Sequence, residues 1–352
     1  MTRATDEYFM NLALQEGLRN RGATAENPSV GCILVKDDHV LARTVTAEGG
    51  RPHAEPQALQ VAGERARGAT AYVTLEPCAH YGQTPPCAQQ LVVAGIARVV
   101  TALEDPDPRT AGKGHEVLRV SGVNVRTGVL ASQARENLAG FLSRIERGRP
   151  YVVLKMAQSS DGKISSAPGA RTQITGEIAR DYVHQMRAQS DAIMIGAETA
   201  RVDDPALTCR LPGLEHRSPA RIVVTSDPES LANLSMMKTR SDIEVWLLTT
   251  HQGEDYLTVD AIPDGRVDLS QGLQLFAKRG INLLMVEGGA LLAKSLLDNG
   301  LIDELHVIAA PCELGENGVS SPISAIDEGN FSLKHSEPLG EDRLSVYVKA
   351  GV

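Results

Sequence analysis

The sequence predicts an α/β protein of two domains. That expectation rests on a length of 352 residues, on apolar strand-like runs that alternate with helix-like segments, and on a charged stretch ending in Gly148-Arg149-Pro150 that interrupts the alternation. The 42% hydrophobic and 22% charged residues are those of an ordinary globular chain. The start MTRATDEYFMNLAL lacks the basic segment and apolar run of a signal peptide, and no apolar stretch approaches membrane-spanning length. Five cysteines, an odd number, read as reduced thiols of the cytoplasm. A net charge of -9 with 3% aromatics does not supply the basic surface and stacking platforms that nucleic acid demands. Small molecules, rather than nucleic acid or a membrane, are therefore the expected partners.

The elements follow in order. Residues 6–19 carry Phe9, Leu12, Ala13 and Leu18 as one apolar helical stripe, and turn-rich GATAENPSVG leads to the strand CILVK and a hairpin turn in KDDHV. RPHAEPQALQVAG opens a helix that runs to about Gly63. The strand ATAYVTLE, the loop PCAHYGQTPP, the helix CAQQLVVAG and the strand ARVVTAL come next. A boundary falls between residues 147 and 148, before the fresh strand YVVLKMA. Downstream, DAIMIGA, RIVVTS, IEVWLLTT, INLLMVE and ELHVIAA read as strands, and GEIARDYVHQMRAQ and ALLAKSLLDNG as helices. Residues 226–244 carry no clear period.

In the first half, His53 and two cysteines offer the imidazole and thiolates that zinc prefers: Cys78 in LEPC and Cys87 in TPPC, eight residues between them. Three ligands leave the fourth tetrahedral position to water, the mark of a catalytic site. Cys87 opens a helix, where the dipole and free N–H groups favour a thiolate, and Pro56 is tolerated in a first turn. Glu55 is then the carboxylate that moves protons between water and a leaving amine. His-x-Glu followed by Pro-Cys and a further Cys is the pattern of zinc-dependent deaminases of pyrimidine and purine rings, although Cys-x-x-Cys is the usual spacing there. The competing reading is a closed structural zinc site with His80 or Cys32 as fourth ligand.

With His53-Ala-Glu55, Thr74-Leu-Glu-Pro-Cys78-Ala-His80 and Thr84-Pro-Pro-Cys87 in place, the chain resembles the bifunctional deaminase/reductase family of riboflavin biosynthesis. The likeness covers nearly the whole length. It includes Asn27-Pro-Ser-Val-Gly31, Asp105-Pro-Asp-Pro108, Gly112-Lys-Gly114, Leu154-Lys-Met-Ala157, Ser160-Asp-Gly162, Arg187-Ala-Gln-Ser190, Asp203-Asp-Pro-Ala-Leu207-Thr208 and Val286-Glu-Gly-Gly289. The resemblance implies a cytidine-deaminase-like α/β/α domain over residues 1–147 and a dihydrofolate-reductase-like α/β domain over 148–352. The first would hydrolyse the amino group of a diamino ribosylaminopyrimidinone 5′-phosphate with zinc. The second would reduce the ribosyl group of the product to ribityl with NADPH. By matching positions, His53, Cys78 and Cys87 would hold zinc, Glu55 would be catalytic, and Asn27 and His80 would contact the pyrimidine. Lys155, Arg171, Arg187, Leu207, Arg210 and Glu287 would bind the reductase substrate. Ala157, Gln173, Thr199, Asp203, Ser226, Gly288, Gly289 and Ser295 would line the cofactor. A homo-oligomer is the implied assembly.

Five positions depart from the family pattern: Pro56 and Gln57 stand where an aliphatic residue and often His are usual, Asp107 for Asn, Ser160 for Leu, and Gln173 for a Trp beside the cofactor. Read by themselves, Gly288-Gly289 between a strand and a helix offer free N–H groups suited to a phosphate, no G-x-G-x-x-G is present, and the guanidinium forks of Arg187 and Arg210 suit a substrate phosphate. Two rival functions remain: a deaminase acting on a flipped nucleic-acid base, and a non-catalytic protein with structural zinc. The first predicts a basic face and leaves residues 150–352 without a task. The second predicts that Glu55 is dispensable.

Overall fold

A helix and a hairpin start the first sheet. Helix α1 (Arg3–Leu18) buries Phe9, Met10, Ala13 and Leu14. Strands β1 (Gly31–Lys36) and β2 (His39–Val45) join through Asp37 and Asp38, both with positive φ, as a two-residue hairpin turn requires. This structure, a computed structural model, describes residues 3–82, 84–253, 256–323 and 330–351. It divides into two units, Met1–Gly148 and Arg149–Val352.

The first unit continues with α2 (Ala54–Ala62), β3 (Thr70–Val73), α3 (Cys87–Val93), β4 (Arg98–Thr101), α4 (Lys113–Val120), β5 (Asn124–Arg126), α5 (Ala131–Asn137) and α6 (Ala139–Arg147). Its sheet has the order β2-β1-β3-β4-β5, antiparallel on both sides of β1 and parallel from β3 to β5. Asp6 fastens α1 to that sheet. Its fully buried carboxylate accepts from Tyr72 Oη at 3.0 Å and from both ends of the Arg98 fork at 2.7 and 2.8 Å, and pairs with Arg126. Three strands are thus tied to one helix side chain. Helix α6 stops at Gly148, whose left-handed conformation ends helices at little cost.

The second unit contains β6 (Tyr151–Gln158), β7 (Lys163–Ser165), α7 (Glu177–Ala188), β8 (Ala192–Gly196), α8 (Ala197–Asp203), β9 (Ala220–Val224), α9 (Ser235–Lys238), β10 (Val245–Thr249), β11 (Tyr256–Thr258) and α10 (Leu269–Lys278). It ends with β12 (Leu283–Val286), α11 (Ala290–Asp298), β13 (Glu304–Ala309), β14 (Val319–Ser320), β15 (Phe331–Leu339) and β16 (Asp342–Lys349). Nine strands form one sheet in the order β11-β10-β9-β8-β12-β6-β13-β16-β15, parallel from β11 to β13 and antiparallel beyond, while β7 and β14 pair separately. Alternate residues of β6 face opposite cores: Val152, Leu154 and Met156 pack with α10 and α11. Lys155 consequently projects from the other face, the one that α7 covers with Ala179 and Val183.

The structure departs from the sequence expectations in three places. The strand expected over 69–76 shrinks to Thr70–Val73, because residues 74–77 turn toward the Cys78 loop. The β15/β16 hairpin is unforeseen: β15 is exposed along nearly its whole length and shows no apolar alternation. Residues 226–244 hold a single 3-10 turn, Glu229–Leu231, and the one-turn α9. What fixes that segment is Arg221 of β9. This fully buried guanidinium donates to the carbonyls of Thr239 and Ile243 at 3.0 and 2.5 Å and to Thr239 Oγ1 at 3.0 Å.

Candidate active site

In the first unit His53 is the N-cap of α2 and Cys87 the first residue of α3, so two helix starts converge on the Cys78 loop. His53 Nδ1 lies 3.7 Å from Cys78 Sγ and 3.4 Å from Cys87 Sγ. Zinc–ligand bonds of about 2.3 Å to sulfur and 2.0–2.1 Å to nitrogen, at a tetrahedral angle, place S and N roughly 3.5 Å apart. The three donors therefore fit zinc in type and spacing. Among the described residues no fourth His, Cys, Asp or Glu joins the cluster, so neither Cys32 nor His80 closes it. Cys32 is buried on β1, and burial, with the charge of Glu55, raises its thiol well above the ordinary value. Against burial, the Cys87 thiol and the His53 ring together pull Cys78 down to about 4, which favours the thiolate that a metal binds.

Glu55 sits in the first turn of α2, 3% exposed. Burial pushes its carboxyl up to about 7, against the pull of His53. The helix start is held by side chains on both sides. Thr44 Oγ1 donates to the Ala54 carbonyl at 2.8 Å, and Gln57 Nε2 reaches the Val45, Pro52 and His53 carbonyls at 2.7, 3.0 and 3.0 Å. Gln57, a departure from the family pattern, is thus the clasp on the His53 turn.

Glu76 supports the other side, and sequence reasoning overlooked it. Its buried carboxylate accepts backbone N–H groups of Asp105, Gly112 and His115 at 3.2, 3.0 and 3.0 Å. This draws the start of α4 against Pro77, and a Cβ at Gly114 would lie 2.0 Å from the Pro77 carbonyl oxygen. Glu76, Glu104 and His115 also lie at ligand spacing, yet Glu76 is already committed to these three donors. His80 is half-buried, with Nδ1 3.3 Å from Thr110 Oγ1. Asp107, where Asn is the pattern, is neutralised by the Arg109 fork at 2.9 Å or closer, which holds its carboxyl below the usual range. Asn27 lies on the half-buried loop before β1.

In the second unit a cavity of about 940 Å³ is lined by Lys155, Ala157, Arg171, Gln173, Arg187, Thr199, Asp203, Leu207, Arg210, Glu287, Gly288 and Gly289. Two residues expected there are not among the residues lining the cavity: Ser226 is exposed beyond β9, and Ser295 is half-buried on the second turn of α11. Five residues of helix, 290–294, separate Ser295 from Gly289. Glu287 is engaged by Arg187, whose Nε and Nη2 donate at 2.9 and 3.1 Å, and by Lys155 Nζ at 3.8 Å. Burial alone would raise Glu287, but Arg187 and Lys155 hold it below its ordinary value. Leu207 has φ +56°, a left-handed conformation that costs a non-glycine residue energy and collects at binding sites. Gly288 turns β12 into α11 at φ +119°, and the Gly289 N–H donates to Thr199 Oγ1 at 3.0 Å. A cavity of this size, with a helix start and cationic groups on its walls, fits a nucleotide cofactor beside an anionic substrate.

Residues 3–103 match the cytidine and deoxycytidylate deaminase zinc-binding region, and residues 150–345 match the RibD C-terminal domain. The riboflavin biosynthesis protein RibD of Escherichia coli is 40% identical over 96% of this chain and 97% of its own length. That of Aquifex aeolicus is 37% identical over 99% of both. Among solved structures, Acinetobacter baumannii RibD superposes with a TM-score of 0.90 at 34% identity, covering 99% of this chain and 100% of that one. The Thermotoga maritima diaminohydroxyphosphoribosylaminopyrimidine deaminase/5-amino-6-(5-phosphoribosylamino)uracil reductase gives 0.87 at 30% identity, covering 99% of each chain.

Proposed function

The chain belongs to the RibD family and is a bifunctional deaminase and reductase of riboflavin biosynthesis, and on that premise we propose how its residues divide the two reactions. The deaminase, over residues 1–147, acts on 2,5-diamino-6-ribosylamino-4(3H)-pyrimidinone 5′-phosphate. His53, Cys78 and Cys87 hold zinc, which supplies a Lewis acid that brings the pKa of water toward neutrality. Glu55 takes the proton of the attacking water and passes one to the amino group, which leaves as ammonia while oxygen replaces nitrogen on the ring. A carboxyl poised near 7 suits both the taking and the giving. Asn27 and His80 orient the pyrimidine.

The reductase, over residues 148–352, acts on 5-amino-6-(5-phosphoribosylamino)uracil. NADPH supplies the hydride that converts the ribosyl group to ribityl. Ala157, Gln173, Thr199, Asp203, Gly288 and Gly289 line its place, while Ser226 and Ser295 lie off the cavity and serve only if the cofactor extends beyond it. Lys155, Arg171, Leu207 and Glu287 hold the sugar. The two arginines have separate tasks. Arg187 is filled by Glu287 and by the Thr208 carbonyl at 3.1 Å, so it fixes Glu287, and the phosphate falls to Arg210. A cytoplasmic homo-oligomer completes the reading: five free thiols support the compartment, and light scattering after size exclusion tests the assembly.

One observation carries the deaminase assignment: three zinc donors at ligand spacing with a buried carboxylate beside them and, among the described residues, no fourth His, Cys, Asp or Glu in the cluster. The test is a single reaction of purified protein with the diamino substrate and NADPH, following ammonia and NADPH together. Ammonia should appear first and NADPH loss should follow. Zinc-loaded protein that releases no ammonia would overturn the assignment.

A further inference from the structure

The mechanism above leaves one buried histidine beside the reductase cavity without a task. His184, 8% exposed on α7, lies one turn before Arg187. Its two ring nitrogens are met by a single residue, Arg210, whose backbone N–H lies 3.3 Å from Nδ1 and whose Nε lies 3.3 Å from Nε2. Burial and the charges of Arg187 and Arg210 lower its pKa, which keeps the ring neutral. A neutral imidazole has one lone pair and one N–H. Only one of the two Arg210 donors can therefore be accepted, and in the tautomer that leaves the lone pair on Nε2 the ring accepts from the guanidinium, the stronger, charged donor.

This arrangement determines what Arg210 has left to offer. Among the described residues no protein acceptor meets either Nη of Arg210, and its guanidinium is exposed at the cavity rim. Occupying Nε from behind leaves the two Nη groups as an open fork, the edge that grips a phosphate through two parallel hydrogen bonds. Without that acceptor a long exposed arginine samples several rotamers, and each binding event must freeze them. Resting on the substrate assigned above, we propose that His184 is a positioning residue that holds Arg210 with its fork presented to the substrate phosphate.

The test compares His184→Leu, which fills the buried site but accepts no hydrogen bond, with His184→Gln, which restores an acceptor. Reductase kinetics are measured on the phosphorylated aminouracil and on its dephosphorylated counterpart. For His184→Leu, KM for the phosphorylated substrate should rise about 10- to 100-fold with kcat within about threefold, since a hydrogen bond to a charged group is lost and the chemistry is untouched. His184→Gln should recover most of that loss, and Arg210→Ala combined with His184→Leu should be no worse than Arg210→Ala alone. KM unchanged in His184→Leu, or an equal loss on both substrates, overturns the proposal. A wild-type protein that oxidises no NADPH with this substrate overturns the functional reading itself, whereas active wild type with a silent His184 sinks only the positioning role.

Discussion

Glu55 bears on the reaction through its environment. A carboxylate this deeply buried resists ionisation until the pH approaches neutrality, which is where a group that must alternately accept and release a proton works best. Glu55→Gln should keep zinc at wild-type stoichiometry by metal analysis while ammonia release falls about 10²- to 10⁴-fold; deamination at the wild-type rate would refute the assignment. Asp105 gives a second prediction at this scale. Burial, reinforced by the charges of Asp107 and Glu76, raises it to about 6. Because the folded value lies above the unfolded one, its favourable contribution is complete below about pH 4 and is lost as pH rises through 6. Asp105→Asn, which keeps an acceptor for the Asp107 N–H, should therefore match wild type at pH 4 and be about 1–3 kcal/mol more stable at pH 7 in denaturant titrations. Parallel curves at every pH would refute it. The cluster of His53, Cys78 and Cys87 was legible in the sequence because metal chemistry restricts residue type. Glu76, Gln57 and His184 were not, since each acts by bonding a group brought near only by the fold.

Glu76 shows how one side chain fixes an element. Its carboxylate holds the start of α4 and the Asp105 loop through three backbone donors, with His115 anchored further by Thr101 Oγ1 2.9 Å from Nε2. Glu76→Ala should strand those donors in a buried site and cost about 3–5 kcal/mol of stability in the first unit, read from the first denaturant transition. A loss under about 1 kcal/mol would mean that water replaces the carboxylate. Strands buried on both faces, such as β1 and β12, left continuous apolar runs in the sequence, and the amphipathic α7 left a helical stripe. Other elements left no such signal: β15 is exposed along nearly its whole length, and α9 is a single turn.

Each unit has its own apolar core, one built on β1, β3 and β4 and the other on both faces of the nine-stranded sheet. Stripping zinc with a chelator should therefore abolish ammonia release yet leave NADPH consumption intact when the deaminated substrate is supplied directly; equal loss of both would tie the reductase to the metal. At this scale the α/β alternation was plain in the sequence, but the sheet order was not, because strand neighbours are set by crossovers that leave no local signal. Arg221 carries a consequence of another kind. By gripping peptide carbonyls at 239 and 243, it recognises mainly the path of the chain, with Thr239 Oγ1 the side-chain atom of that segment it also meets. The exposed positions of that segment whose side chains make no such bond are therefore released from selection for folding and can drift, whereas Arg221 cannot. A mutational scan should find residues 229–242 permissive at their exposed sites other than Thr239 and Ser235, which bonds Asp204, and should find Arg221→Lys, which lacks the fork, poorly tolerated.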